Sequence, residues 1–120
     1  MTNNDYKYPK TARLLSSKQF KNVFDFSDKK IHQPHLMTFI KKNELKNARL
    51  GLAITKKKVP TAVARNNLKR LIREDFRICN KNLGNVDIVF IVKKPIKEIS
   101  DNELKKQIKV IFNKIMSYKV

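Results

Sequence analysis

Seven residues, Val86-Asp87-Ile88-Val89-Phe90-Ile91-Val92, are apolar but for one aspartate, with Gly84 before them and Pro95 after. A run this short and this rich in β-branched side chains predicts a strand buried on both faces. Such a strand belongs to a sheet with helices packed on it. The rest of the chain supplies matching elements. Arg49 to Thr55 alternates cleanly, with Leu50, Leu52 and Ile54 on one face and Gly51, Ala53 and Thr55 on the other. Leu36 to Lys42 predicts another strand, after an irregular stretch that ends at Pro34, and Asn43 to Asn47 is turn-like.

Three segments predict helices. Ser16 and Gln19 have capping-box spacing, and Phe20, Val23 and Phe24 follow at i, i+3, i+4, giving a short helix over 17–26. Pro60 suits the first turn of a helix that runs to about Asn80 and is stopped by Asn82 to Asn85. Ser100 with Glu103 makes a second capping box ahead of the stripe Leu104, Ile108, Ile111, Phe112, Ile115. The predicted fold is α+β, a two-layer α/β single domain over residues 1–120. It has a mixed sheet of about four strands and three helices in the order α-β-β-β-α-β-α. Residues 1–12 form an extended lead-in. No internal repeat or low-complexity linker divides the chain.

The middle helix carries the chemistry. Advancing about 100° per residue from Arg65, the side chains of Asn66, Lys69, Arg70, Arg73 and Arg77 fall with Arg65 within an arc of about 140°. Ala64, Leu68, Leu71, Ile72, Ile78 and Cys79 fall opposite. A merely solvated face would need acids interleaved with its cations. By the same wheel Glu74 and Asp75 lie off the arc, so they are expected not to pair across a turn with it. Asp75 falls in the middle of the apolar side, which the sequence does not explain.

The whole chain is cationic as well: 28 Lys and Arg against 10 Asp and Glu give a formal charge of +18 at pH 7, spread from Lys7 to Lys119. That balance favours phosphate-bearing partners, nucleic acid above small acidic metabolites. Phe20, Phe24 and Phe39, from a helix and a strand adjacent in sequence, add rings on which single-stranded bases stack; the alternative is that they pin the helix to the sheet.

Other chemistries find little support. Cys79 is the only cysteine, so neither a disulfide nor a thiolate zinc cluster forms within the chain, and it is expected as a small buried hydrophobe. His32 and His35, with Asp28 nearby, lie before or beside a proline in a segment without helical support and are expected to be incidental. With only Gly51 and Gly84 there is no glycine-rich phosphate loop. The acid pairs Asp25 with Asp28 and Glu74 with Asp75 lack a third carboxylate. No stretch approaches the ~18 apolar residues of a membrane span, so a cytoplasmic protein is expected. The residues predict a binder whose chemistry comes from a partner.

These motifs converge. Arg65-Asn66 with Lys69-Arg70 and Arg73-Glu74, preceded by Arg49-Leu50-Gly51-Leu52-Ala53-Ile54-Thr55-Lys56-Lys57, resembles the protein subunit of bacterial ribonuclease P. The resemblance extends to Arg13-Leu14-Leu15-Ser16, Phe20-Lys21-Asn22-Val23-Phe24, Asp87-Ile88-Val89 and Lys93-Lys94-Pro95. It implies the small basic subunit of an RNA-based endonuclease that removes the 5′ leader from precursor tRNA. Catalysis then belongs to the RNA and its magnesium ions, with no catalytic residue on the protein and no further protein partner required.

By match of position, Arg65, Asn66, Lys69, Arg70 and Arg73 would face the catalytic RNA, with Lys56 and Lys57 beside them. Phe20, Phe24 and Phe39 would line the leader cleft. The resemblance also implies a ribosomal-protein-like βαβ crossover of left hand, where the general rule favours the right. One position departs: the family usually has an arginine where this chain has Asn67, about 200° round the wheel and outside the basic arc. A ribosomal-protein-like structural RNA binder is the competing expectation, since size and charge alone do not separate the two.

Overall fold

Local signals start and stop each helix in the computed structural model, which describes residues 12–14, 16–97 and 99–118. Helix α1 (Ser17–Phe26) begins with a complete capping box: Gln19 N donates to the Ser16 hydroxyl at 3.1 Å, and Ser16 N donates to the Gln19 side chain at 3.0 Å. Strands β1 (Lys29–His32), β2 (Leu36–Lys42) and β3 (Arg49–Ala53) follow. Helix α2 (Ala62–Cys79) is capped by Thr61, whose hydroxyl accepts from Ala64 N. Pro60 therefore precedes the cap rather than occupying the first turn. After α2 a single 3-10 turn over Asn80–Asn82 leads to Gly84, whose φ of +81° is open to glycine at little cost. Strand β4 (Val86–Val92) and helix α3 (Asp101–Ser117) complete the order. At α3 only half of the expected capping box forms: Ser100 accepts from Glu103 N, while the Glu103 carboxylate takes a hydrogen bond from Gln107 instead.

The sheet order is β1-β2-β4-β3, with β1 and β2 antiparallel, β2 and β4 antiparallel, and β3 parallel to β4. Strand β4 is thus central, as its apolar run requires, and six of its seven residues are buried. Helix α2 makes the crossover between the parallel neighbours β3 and β4. Strand β1 lies within the stretch expected to be irregular. With one buried residue in four, Ile31, it carries too little alternation to stand out.

Alternation divides the sheet into two unlike faces. Leu36, Ile40, Leu50, Ile88 and Phe90 point to one side, where they join Leu68, Ile72 and Phe76 of α2 and Leu104, Ile108, Ile111 and Phe112 of α3 in the main core. Phe112 lies between Phe90 (5.4 Å between ring centres) and Phe76 (6.3 Å). Val89, Ile91, Phe39 and Ala53 point to the other side, where α1 covers them with Phe20, Val23 and Phe24, joined by Leu14 from the segment just before α1. Of the lead-in only Ala12 is described, and it is buried in the main core. Arg13 bridges Leu50 in parallel, and Leu14 N donates to Leu50 O, so this segment runs along the free edge of β3.

Candidate nucleic-acid interface

Helix α2 lays Leu68, Leu71, Ile72, Phe76 and Cys79 into the core. This buried side is rotated from the expected one. Phe76, which falls among the cations on a helical wheel, is 2% exposed because it reaches the Phe112 ring, whereas Ile78 is 71% exposed. Asn66, Arg70 and Arg73 are accordingly exposed, while Arg65, Lys69 and Arg77 flank the core and are half-buried.

The cations differ in what they do. Arg65 folds back, one guanidinium nitrogen donating to the carbonyls of Val59 (3.0 Å) and Pro60 (2.9 Å). It thereby braces the loop that presents Lys56 and Lys57, both exposed. Arg70 donates to Glu74 at 2.9 Å and to the Asn67 carbonyl at 2.8 Å. The expectation that Glu74 stays off the basic side therefore fails: it lies only about 40° round the helix from Arg70, within reach of an i,i+4 pair. Both side chains are about half exposed, so the pair is worth little and yields readily to a phosphate.

Asn67 has a role that the wheel did not reveal. Its amide donates to Asp101 Oδ1 at 2.8 Å while its carbonyl holds Arg70. Where the resemblance leads one to expect a cation, this chain has a link from α2 to the first turn of α3 that orients its neighbour. Asp75, half-buried, lies in a groove of about 190 Å³ between α2 and α3 with Leu71, Ile78, Lys105, Ile108 and Lys109. Burial holds its carboxyl above the usual aspartate range, against the pull of Lys109. Burial, with Asp75 nearby, also pushes the Cys79 thiol up to about 12, so it is no nucleophile.

The phenylalanines lie on the opposite face of the sheet. Phe20 passes over Gly51 so closely that a Cβ there would stand 2.8 Å from the ring. Phe24 meets Phe39 edge to face at 4.9 Å. All three rings are half-buried, so they both pin α1 to the sheet and keep surface for a ligand. Phe20 and Phe24 line an open groove of about 590 Å³ with Ser17, Lys21, Asp25 and Ala53. Phe39 lies beyond Phe24 on the β1 side, where the Lys30 ammonium stands 5.6 Å from its ring centre.

This face also carries basic side chains that the motifs did not assign to it. Lys30 and His32 pair with Phe39 and Met37 across β1 and β2, so both point to the phenylalanine side. His32 Nδ1 lies 3.2 Å from the ammonium of Lys93. Recognising β1 as a strand would have found them, through the period-two pattern of Lys30 and His32. His35 instead turns inward, its ring 3.2 Å from the buried Gln107 amide of α3. At the far end of the same face Arg49 grips Asp87 with two hydrogen bonds, of 2.8 and 2.6 Å, and Asn43 adds a third at 2.8 Å. Among the described residues no three carboxylate, histidine or cysteine side chains come together. No helix there is long and apolar enough to cross a membrane.

The ribonuclease P family model matches residues 8–116, nearly the whole chain. The chain belongs to the ribonuclease P protein family. It is 49% identical over 113 residues to the ribonuclease P protein component of Psychrobacter sp. strain PRwf-1, covering 94% of this chain and 87% of the relative. To that of Pseudomonas aeruginosa it is 40% identical over 109 residues, covering 91% and 81%. Among solved structures it is similar to the ribonuclease P protein of Thermotoga maritima, with a TM-score of 0.72 at 25% identity over 90% of this chain and 98% of that one. The Staphylococcus aureus protein shares the fold at a TM-score of 0.77 and 23% identity, over 85% and 93%. As a ribonuclease P protein component, the chain is part of an endoribonuclease that is a ribonucleoprotein with an RNA subunit.

Proposed function

We propose that the chain docks on the RNA subunit of ribonuclease P through α2 and holds the 5′ leader of precursor tRNA on the phenylalanine face of the sheet. In this reading Asn66, Lys69, Arg70 and Arg73 contact RNA phosphates, and Lys56 and Lys57 do so from the loop that Arg65 braces. Phe20, Phe24 and Phe39 stack on leader bases. The separation of the two surfaces carries the proposal: the cationic helix packs on one face of the sheet, and the half-buried rings occupy the other. One rigid sheet can thus fix a substrate strand relative to a catalytic RNA, a positioning role that lowers the barrier by prepaid entropy.

Cleavage is assigned to the RNA. The described residues offer no protein cage for magnesium, which keeps much of its water and binds through phosphates with few carboxylates. The ion would therefore be held mainly by RNA phosphates and supply the hydrolytic chemistry there. The assembly would work in the bacterial cytoplasm, where precursor tRNA is made. Reconstitution tests the reading. Adding the chain to a ribonuclease P RNA at low magnesium should raise cleavage of precursor tRNA, and R70A with R73A should lose most of that gain. A chain that binds RNA yet leaves cleavage unchanged would be a structural RNA binder instead.

A further inference from the structure

We propose that Asn67 is a positioning residue for docking on the RNA subunit. Anchored by Asp101 of α3, it holds Arg70 ready for a phosphate, and Asp101 in turn bars position 67 from serving as a phosphate contact itself. The role rests on the α2 docking reading above and adds to it two residues that act through Arg70 without touching RNA.

The link stands on a fixed post. Ser100 caps α3 by accepting from Glu103 N at 3.1 Å, and Leu104 N donates to Ser100 O at 3.1 Å, so the first turn, which carries Asp101, is closed. Leu68 and Leu71 of α2 share the main core with Leu104 and Ile108 of α3, which sets the two helices side by side. Across that seam the Asn67 amide donates to Asp101 Oδ1 at 2.8 Å, and the Asn67 carbonyl accepts from Arg70 Nη2 at 2.8 Å. An asparagine side chain has one donating end and one accepting end. With a carboxylate on one side and a guanidinium on the other, only one orientation of the amide satisfies both. Arg70, bonded to a half-buried side chain held in this way, has less freedom to lose when a ligand arrives.

The two partners of Arg70 differ in kind. Arg70 Nη1 donates to Glu74 at 2.9 Å. A phosphate and Glu74 are both anions and compete for the guanidinium, whereas the neutral Asn67 carbonyl stays bonded while the phosphate takes the place of Glu74. The guanidinium has five N–H groups, so these bonds leave an edge of the fork for a phosphate. Asp101 also decides what position 67 can do. An arginine there would meet a carboxylate across the seam and a like charge one turn on at Arg70. It would pair with Asp101 and be neutralised within the protein rather than by RNA.

The test measures the affinity of the full chain for the ribonuclease P RNA subunit over a series of salt concentrations, with thermal denaturation as the control for folding. N67A should bind about two- to tenfold more weakly at an unchanged salt slope, because the phosphate contact survives but Arg70 must be ordered on binding. R70A should flatten the log–log slope by about 0.7–0.9, and N67A added to it should weaken binding no further. D101A should bind more weakly than D101N, which loses the same charge but keeps an acceptor for the Asn67 amide. N67R should leave the slope unchanged, whereas N67R/D101N should steepen it by about 0.7–0.9. Full affinity in N67A, a loss in N67A that persists undiminished beside R70A, or equal slopes in N67R and N67R/D101N overturns the proposal. Equal binding by D101A and D101N also overturns it, a comparison that stands even where N67A proves less stable. R70A separates the two levels: if it keeps both affinity and slope, Arg70 meets no RNA and the docking reading itself fails.

Discussion

The two faces of the sheet are built from the same four strands yet finished differently. On the α2–α3 side, side chains from two long helices close over Leu36, Ile40, Ile88 and Phe90, each wholly buried. On the α1 side a single ten-residue helix covers less area, and Phe20, Phe24, Phe39, Ala53 and Ile91 remain half-exposed. The first face spends its apolar surface on folding, whereas the second withholds part of it for a ligand. Cations follow the same division: Arg70 and Arg73 stand outside a finished core, while Lys30 and Lys93 rim an unfinished one.

Substitutions of similar size should therefore have unlike consequences on the two sides. The largest effect is expected at Phe90, 0% exposed and packed against Phe112. F90A should cost about 3–5 kcal/mol in chemical denaturation, since little can relax into the cavity. A cost under about 2 kcal/mol would mean that this face is as loosely finished as the other.

The next effect tests whether the α1 side has a rigid part at all. Arg49 is the main partner of Asp87, whose side chain is 5% exposed. R49M should cost about 3 kcal/mol, because it leaves a buried carboxylate with only the Asn43 amide. Reverting to near wild-type stability in R49M/D87L would show that the pair gives specificity of structure rather than net stability.

F39A should then separate binding from folding. Base–aromatic stacking is worth about 1–3 kcal/mol per base, so the leader contribution to precursor affinity should fall between about fivefold and a hundredfold. Affinity for the RNA subunit, carried by α2 on the other face, should be kept. Equal loss of both, or loss of neither, would assign the three rings to folding alone.

How far the sequence foretold this division depends on the length of the pattern behind each element. Helix α1 and strands β2 and β4 fall on the residues that capping, alternation and the apolar run indicate. Strand β3 ends at Ala53, two residues short of its alternating pattern, and β1 escaped because one apolar residue in four makes no pattern. The composition of the α2 face was legible, but its rotation was not. A wheel sets Phe76 among cations, and only the position of Phe112, 36 residues on in the next helix, draws it inward. The Arg70–Glu74 pair was missed because an arc drawn from cations alone treats its own edge as a barrier. The Asn67–Asp101 link joins residues 34 apart, a distance no local pattern reports.

The smallest expected effect concerns the one residue on the α2–α3 side that works against it. Asp75 lies among Leu71, Ile78 and Ile108, and burial raises its carboxyl above the ordinary value of 3.8 while Lys109 only partly offsets this. A carboxyl raised on folding binds its proton more tightly in the native chain, so its contribution falls as pH rises through the ordinary aspartate value toward the raised one. Above that window the full penalty of holding a charge there remains. D75N should therefore be slightly more stable at pH 7, by about one or two degrees in Tm given partial exposure and screening. The difference should vanish below pH 3.8, where both side chains are neutral. A lower Tm for D75N at pH 7 would show that the attraction of Lys109 outweighs burial, making the groove between α2 and α3 a stabilising contact like the rest of its side.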